Sequence, residues 1–105
     1  MFNEIHHLVI GSDYAKSKHF YVDLLGFALI RENYRPDRGD YKLDLACGDQ
    51  EIELFIRPEA PQRPSYPEAL GLRHLAFRVA DVAATVQALT AKGIETEPIR
   101  VDPFT

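Results

Sequence analysis

The sequence predicts an α+β fold made of two related strand–helix–strand modules. Three observations lead there. Short stretches with the two-residue alternation of strands are interleaved with stretches of helical periodicity. A segment running from a histidine to an aspartate recurs 68 residues further on, and a proline-rich stretch separates the two copies.

The first copy opens at residues 5–10, an Ile-His-His-Leu-Val-Ile run closed by Gly11-Ser12, and this reads as a strand. Asp13 comes next as a helix cap, because its carboxylate can accept from the free N–H groups of a first helical turn. Tyr14, Ser17, Phe20, Tyr21, Leu24 and Leu25 then fall at three- and four-residue spacings, so one apolar face is expected. Gly26 stands where a helix ends in a left-handed residue. Residues 27–32 form a second predicted strand. Residues 33–40, with Pro36 and Gly39 among charged side chains, read as a loop.

Residues 41–45 alternate apolar and polar and predict a half-buried strand. Residues 47–50 are a hairpin turn, and residues 51–56 are the returning strand. On that strand Ile52, Leu54 and Ile56 share one face, the expected core side. Glu51, Glu53 and Phe55 share the other, which is expected to line a cavity. A mid-strand glutamate flanked by Ile and Leu is costly to bury unless it is paired or binds a cation.

Prolines 58, 61, 64 and 67 mark a linker, since proline removes a hydrogen-bond donor and resists both helix and central strand. Beyond it residues 72–79 are strand-like. Asp81 caps a second predicted helix carrying Val82, Val86 and Leu89, Gly93 closes it, and residues 94–101 are extended. Aligned from His6 and from His74, each copy reaches a capping Asp seven residues later. Equivalent histidines on equivalent strands converge if the modules face each other, and Glu53 joins them if its strand neighbours that of His6. By strand alternation His7 points away from His6 and is read as structural.

The chain of 105 residues is one domain's worth of protein. The expected organisation is a single domain, with module one at about 1–57, the linker at about 58–70 and a partial module two at about 71–105. With 46% hydrophobic and 27% charged residues it is neither disordered nor membrane-spanning. Its formal charge of −4, with Lys and Arg scattered, argues against nucleic acid as a partner. Cys47 is the single cysteine, which excludes an internal disulfide. The N-terminal residues carry no basic-then-apolar signal, so a cytoplasmic location is expected.

His6, Asp13, Ser17, Phe20-Tyr21 and Leu24-Leu25-Gly26-Phe27, together with Ile52-Glu53-Leu54 and the run from Gly71 to Phe77 through His74, resemble the vicinal oxygen chelate superfamily. This is the glyoxalase I, bleomycin-resistance and extradiol dioxygenase fold, and the likeness is greatest to its small bacterial YaeR-like branch. The resemblance covers the whole chain. It implies paired βαβββ modules around one divalent metal ion (Zn, Ni, Co, Mn or Fe). The ligands it implies are His6, Glu53 and His74, with Glu53 also the general base. The family's fourth ligand, a Glu on the last strand, has no counterpart before Thr105, so the second module is expected to be truncated.

The activity that the resemblance implies is that of a metal-dependent lyase or isomerase, which chelates a small oxygen-rich substrate and moves a proton. An extradiol-type dioxygenase and a metal-free, bleomycin-resistance-like binding protein are the alternatives. Ile10 stands where glyoxalase I commonly has an arginine for the glutathione carboxylate, which argues against that substrate. Arg57 and Arg73 are the candidate substrate contacts. The resemblance also allows a homodimer, because the fold often pairs modules between chains.

Overall fold

The computed structural model describes residues 1–104. The chain divides into two units, Met1–Pro61 and Gln62–Thr105.

The first unit is built on four strands: β1 (His7–Ser12), β2 (Ala28–Arg35), β3 (Asp40–Cys47) and β4 (Gln50–Ile56). They lie in the order β1-β4-β3-β2. The hairpin joining β3 to β4 turns through Gly48-Asp49, where Gly48 takes φ +58, a conformation that glycine reaches without steric penalty. β2 pairs antiparallel with β3, whereas β1 runs parallel to β4, with His7 opposite Glu51 and Val9 opposite Glu53. Parallel pairing needs a long crossover, and the helical segment after β1 begins it.

The alternation of β4 appears as burial. Ile52, Leu54 and Ile56 join Leu43 and Leu45 of β3 in a core from which water is excluded. Ile10, Tyr21, Val22 and Phe27 pack against that cluster, so the helical segment covers this face of the sheet. Residues one position away on each strand point to the opposite face.

Asp13 caps the helix as expected, accepting from the Lys16 N–H at 3.0 Å. Helix α1 (Tyr14–Lys18) is nonetheless short, and residues His19–Leu24 continue as a π-helix. The bond from Leu25 N–H to the Phe20 carbonyl, 2.9 Å, spans five residues rather than four. The apolar spacing alone predicts a uniform α-helix over residues 14–25. The wider turn lets two consecutive side chains, Tyr21 and Val22, both reach the core. Asp13→Ala is expected to cost about 1 kcal/mol, the usual value of an N-cap. An unchanged urea midpoint would remove the cap from the account.

β2 runs to Arg35, three residues beyond the strand predicted at 27–32, into a stretch that reads as loop. The cause is cross-strand pairing of charge. Arg31 stands opposite Asp44 and Arg35 opposite Asp40, so polar side chains that look solvated in sequence are partners in the ladder.

In the second unit, α2 (Val82–Ala91) is capped by Asp81, whose carboxylate accepts from Ala84 N–H at 2.9 Å. The helix ends with Ile94 N–H bonded to the Leu89 carbonyl and with Gly93 at φ +81. The strand expected over residues 72–79 is absent among the described residues. A strand is a property of a ladder, and the described sheet contains β1–β4 alone.

Candidate metal centre

The face of the sheet turned away from the apolar core carries a continuous chain of ionisable side chains. It starts on β1, reaches β2 at Arg31 and returns to β4. His7 Nε2 lies 3.3 Å from Glu53 Oε2. The other oxygen of Glu53, Oε1, is 2.8 Å from Lys42 Nζ, which lies 3.3 Å from Asp44 Oδ1. Asp44 Oδ2 accepts from Arg31 Nε at 2.8 Å, and Arg31 Nη2 donates to Glu51 at 2.9 Å. Strand register explains the order: Glu53 stands between Val9 and Asp44, and Lys42 lies two residues before Asp44 on the same face.

Burial gives this chain its importance. The Asp44 side chain is only 2% exposed and that of Glu53 12%. Charges so shielded are retained only with close partners. The hydrogen bond to Glu53, with the Asp44 carboxylate beside it, holds the Lys42 ammonium above the ordinary lysine range.

Glu53 is therefore where its sequence pattern puts it, on the non-core face at mid-strand. The histidine that meets it is His7. His6 precedes β1 and places its Nδ1 2.9 Å from His7 Nδ1, while its carbonyl accepts the Glu51 N–H. His7, read from strand alternation as pointing away from His6 and as structural, is the imidazole that lies beside Glu53. Leu8 and Ile10 turn toward the core, so parity puts His7 with Val9, opposite Glu51 and Glu53. A signal for this is present in the sequence. A repeat offset of 67 rather than 68 superposes His7-Leu8 on His74-Leu75 and also Gly26 on Gly93.

Two donors sharing one divalent ion, each about 2.0–2.2 Å from it, lie about 2.8–3.6 Å apart at tetrahedral or octahedral angles. The His7–Glu53 separation of 3.3 Å fits that pairing. Among the described residues no group of three or more His, Cys, Asp or Glu side chains is placed so that it could hold a metal ion. His74 belongs to the second unit.

The two candidate arginines are each tied to a carboxylate of their own unit. Arg57, just after β4, lies 3.6 Å from Asp40 Oδ2, and Arg73 lies 3.4 Å from Glu68. Arg35 holds Asp40 in a two-pronged contact, both bonds 2.7 Å, and stacks over the Phe55 ring at 4.4 Å. The Arg35 hydrogen bonds keep the Asp40 carboxyl below the usual aspartate range. A lowered native pKa stabilises the fold above the unfolded value, about pH 4, and that contribution is lost as pH falls through the native value. Asp40→Asn is thus expected to flatten the acid limb of a stability-versus-pH curve. Parallel curves for the two proteins would refute it.

An open cleft of about 510 Å³ lies beside Tyr14, Asp40, Tyr41 and Pro58, and its lining includes neither His7 nor Glu53.

A mixed four-stranded sheet of this order, with a capped helical crossover on one face, is a small α+β fold. The family model of the Glyoxalase/Bleomycin resistance protein/Dioxygenase superfamily matches residues 4–105, and the chain belongs to that superfamily. Its relatives include the uncharacterized protein YwkD of Bacillus subtilis, 57% identical over all of this chain and 84% of YwkD. The uncharacterized protein YaeR of Escherichia coli is 53% identical over 97% of this chain and 81% of its own. Among solved structures, a glyoxalase family protein from Enterococcus faecalis superposes with a TM-score of 0.91 at 57% identity, over 99% of this chain and 83% of its own. The likeness to the YaeR-like branch and the α+β fold expected from sequence both stand on these matches. No described helix is long and apolar enough to cross a membrane.

Proposed function

We propose that the protein is a divalent-metal-dependent lyase or isomerase of the glyoxalase-like branch, acting on a small oxygen-rich substrate. The observation that carries this reading is the approach of His7 Nε2 and Glu53 Oε2 on the non-core face, in a chain of this superfamily. The proposed ligands are Glu53, the β1 histidine and His74. His7 is preferred to His6 because its imidazole is the one in contact with Glu53. A bound dication would supply Lewis acidity, polarising a substrate oxygen. Glu53 would hold or move a proton beside it, in a position shielded from bulk water. Arg57 and Arg73 remain proposed contacts for an anionic substrate, each needing release from its carboxylate. A cytoplasmic, homodimeric protein is the matching cellular picture.

Elemental analysis after dialysis tests the reading. About one metal per chain is expected in the parent protein. His7→Ala and His74→Ala should lose it, whereas His6→Ala should keep most of it. Loss in His6→Ala with retention in His7→Ala would return the ligand role to His6. Retention in all three would sink the site.

A second reading, a metal-free binding protein of the bleomycin-resistance type, draws support from the Lys42–Glu53 contact of 2.8 Å, which satisfies Glu53 without a metal. A protein that takes up no metal on titration yet holds a ligand tightly would favour it. Iron dependence with oxygen consumption would favour a dioxygenase.

A further inference from the structure

Glu53 and Asp44 stand directly opposite each other on neighbouring strands. Two carboxylates in that position repel, and together they form a ready pair of oxygen donors for a divalent cation. The Asp44 side chain is 2% exposed, and its Oδ1 accepts no well-formed hydrogen bond among the described residues. What occupies the space between them is the Lys42 ammonium, 2.8 Å from Glu53 Oε1 and 3.3 Å from Asp44 Oδ1.

We propose that Lys42 is a tethered cation that decides which side of Glu53 a metal ion can use: it fills the Asp44–Glu53 position and leaves only the oxygen beside His7. The neighbouring geometry supports this division. Oε1 of Glu53 is taken by Lys42, and Oε2 is the atom at His7. A dication placed between the two carboxylates would meet the ammonium at close range, and like charges in a shielded site repel strongly. Asp44 is anchored by Arg31 through Oδ2, so Oδ1 is the oxygen left to share. Lys42 is thus a positioning residue acting through Glu53. A neutral side chain there converts a chain of alternating charges into an open carboxylate pair.

The half of the proposal concerning His7 rests on the functional reading above, and the experiment separates the two. Mn(II) binding is measured by calorimetry for the parent protein, His7→Ala, the double variant His7→Ala/Lys42→Met, and His7→Ala/Lys42→Arg. Methionine keeps the apolar stem of a side chain that is already partly exposed. Lys42→Gln serves as a second neutral replacement, and Mn(II)-dependent thermal melts give an independent readout. The expected result is that His7→Ala binds weakly and that either neutral replacement restores binding by about tenfold or more, on the scale of outer-shell effects at metal sites. The Arg double variant should stay as weak as His7→Ala alone. Neutral double variants that bind no tighter than His7→Ala, and whose melts ignore Mn(II), overturn the proposal even if the parent binds metal. A parent that binds nothing while the neutral double variants bind would instead remove the functional reading and leave the role of Lys42 standing.

Discussion

Glu53→Gln is expected to abolish turnover and to weaken divalent-metal binding by on the order of a hundredfold or more. Loss of an outer-shell partner alone typically costs about 10–100-fold, and a ligand should cost no less. The amide keeps the shape of the side chain and removes its charge. Lys42 then loses the closer of its two anions, the one at 2.8 Å, but keeps Asp44. Folding should survive, because the apolar side chains on the other face of β4 are untouched. Calorimetric titration with Mn(II) or Ni(II), beside a thermal melt, reads both quantities. A variant that binds metal as tightly as the parent eliminates Glu53 as a ligand. A variant whose only change is a lower melting temperature favours the metal-free reading, in which Glu53 simply pairs with Lys42.

The largest effect on stability should come from the core face. Leu54 is fully buried on β4, opposite Leu43 of β3 on one side and Ile10 of β1 on the other. Leu54→Ala is expected to cost about 2–5 kcal/mol, the sum of lost transfer energy and the cavity left behind. Domains of this kind are stable by only about 5–15 kcal/mol, so that loss is a large share of the total. Val9→Ala, on the exposed face of the adjacent strand, should cost much less. Urea denaturation of the two variants tests the placement directly. Equal costs would mean that the inner and outer faces of the sheet have been misassigned.

Glu53 is legible in the sequence because its neighbours announce a two-residue period, and β4 obeys it without a bulge. The Asp13 and Asp81 caps are legible for the same local reason, since a cap is defined by the three residues after it. The two adjacent histidines of residues 6 and 7 carry opposite parities, and the repeat selects His6 at an offset of 68 but His7 at an offset of 67, the one that the register places on the Glu53 face. Lys42 and Asp44 look in sequence like nothing more than the polar half of an alternating strand. Their grip on Glu53 needs the register of β3 against β4, which is a fact about two strands rather than one. The extra reach of β2 is hidden similarly, because Arg35 looks like a loop residue until Asp40 stands opposite it. The π-helical segment leaves no mark in the apolar spacing at all. Residues 72–79 have strand-like composition, but composition does not supply a neighbour to bond with.

The parallel pairing of β1 with β4 also bears on how the chain acquires its chemistry. Contacts within the β2–β3–β4 meander close short loops, down to Cys47 against Gln50. The contact of His7 with Glu51 joins positions 44 apart in sequence, and its loop-closure entropy is correspondingly larger. The meander should therefore assemble first and β1 dock onto it late. His7 rides on that last strand, so the histidine–carboxylate pair comes into being only at the final step. Local opening of β1 alone would dismantle it while the rest of the sheet stays intact. A cation held by both residues would act as a latch on that edge, and amide hydrogen exchange in β1 should slow selectively when it binds.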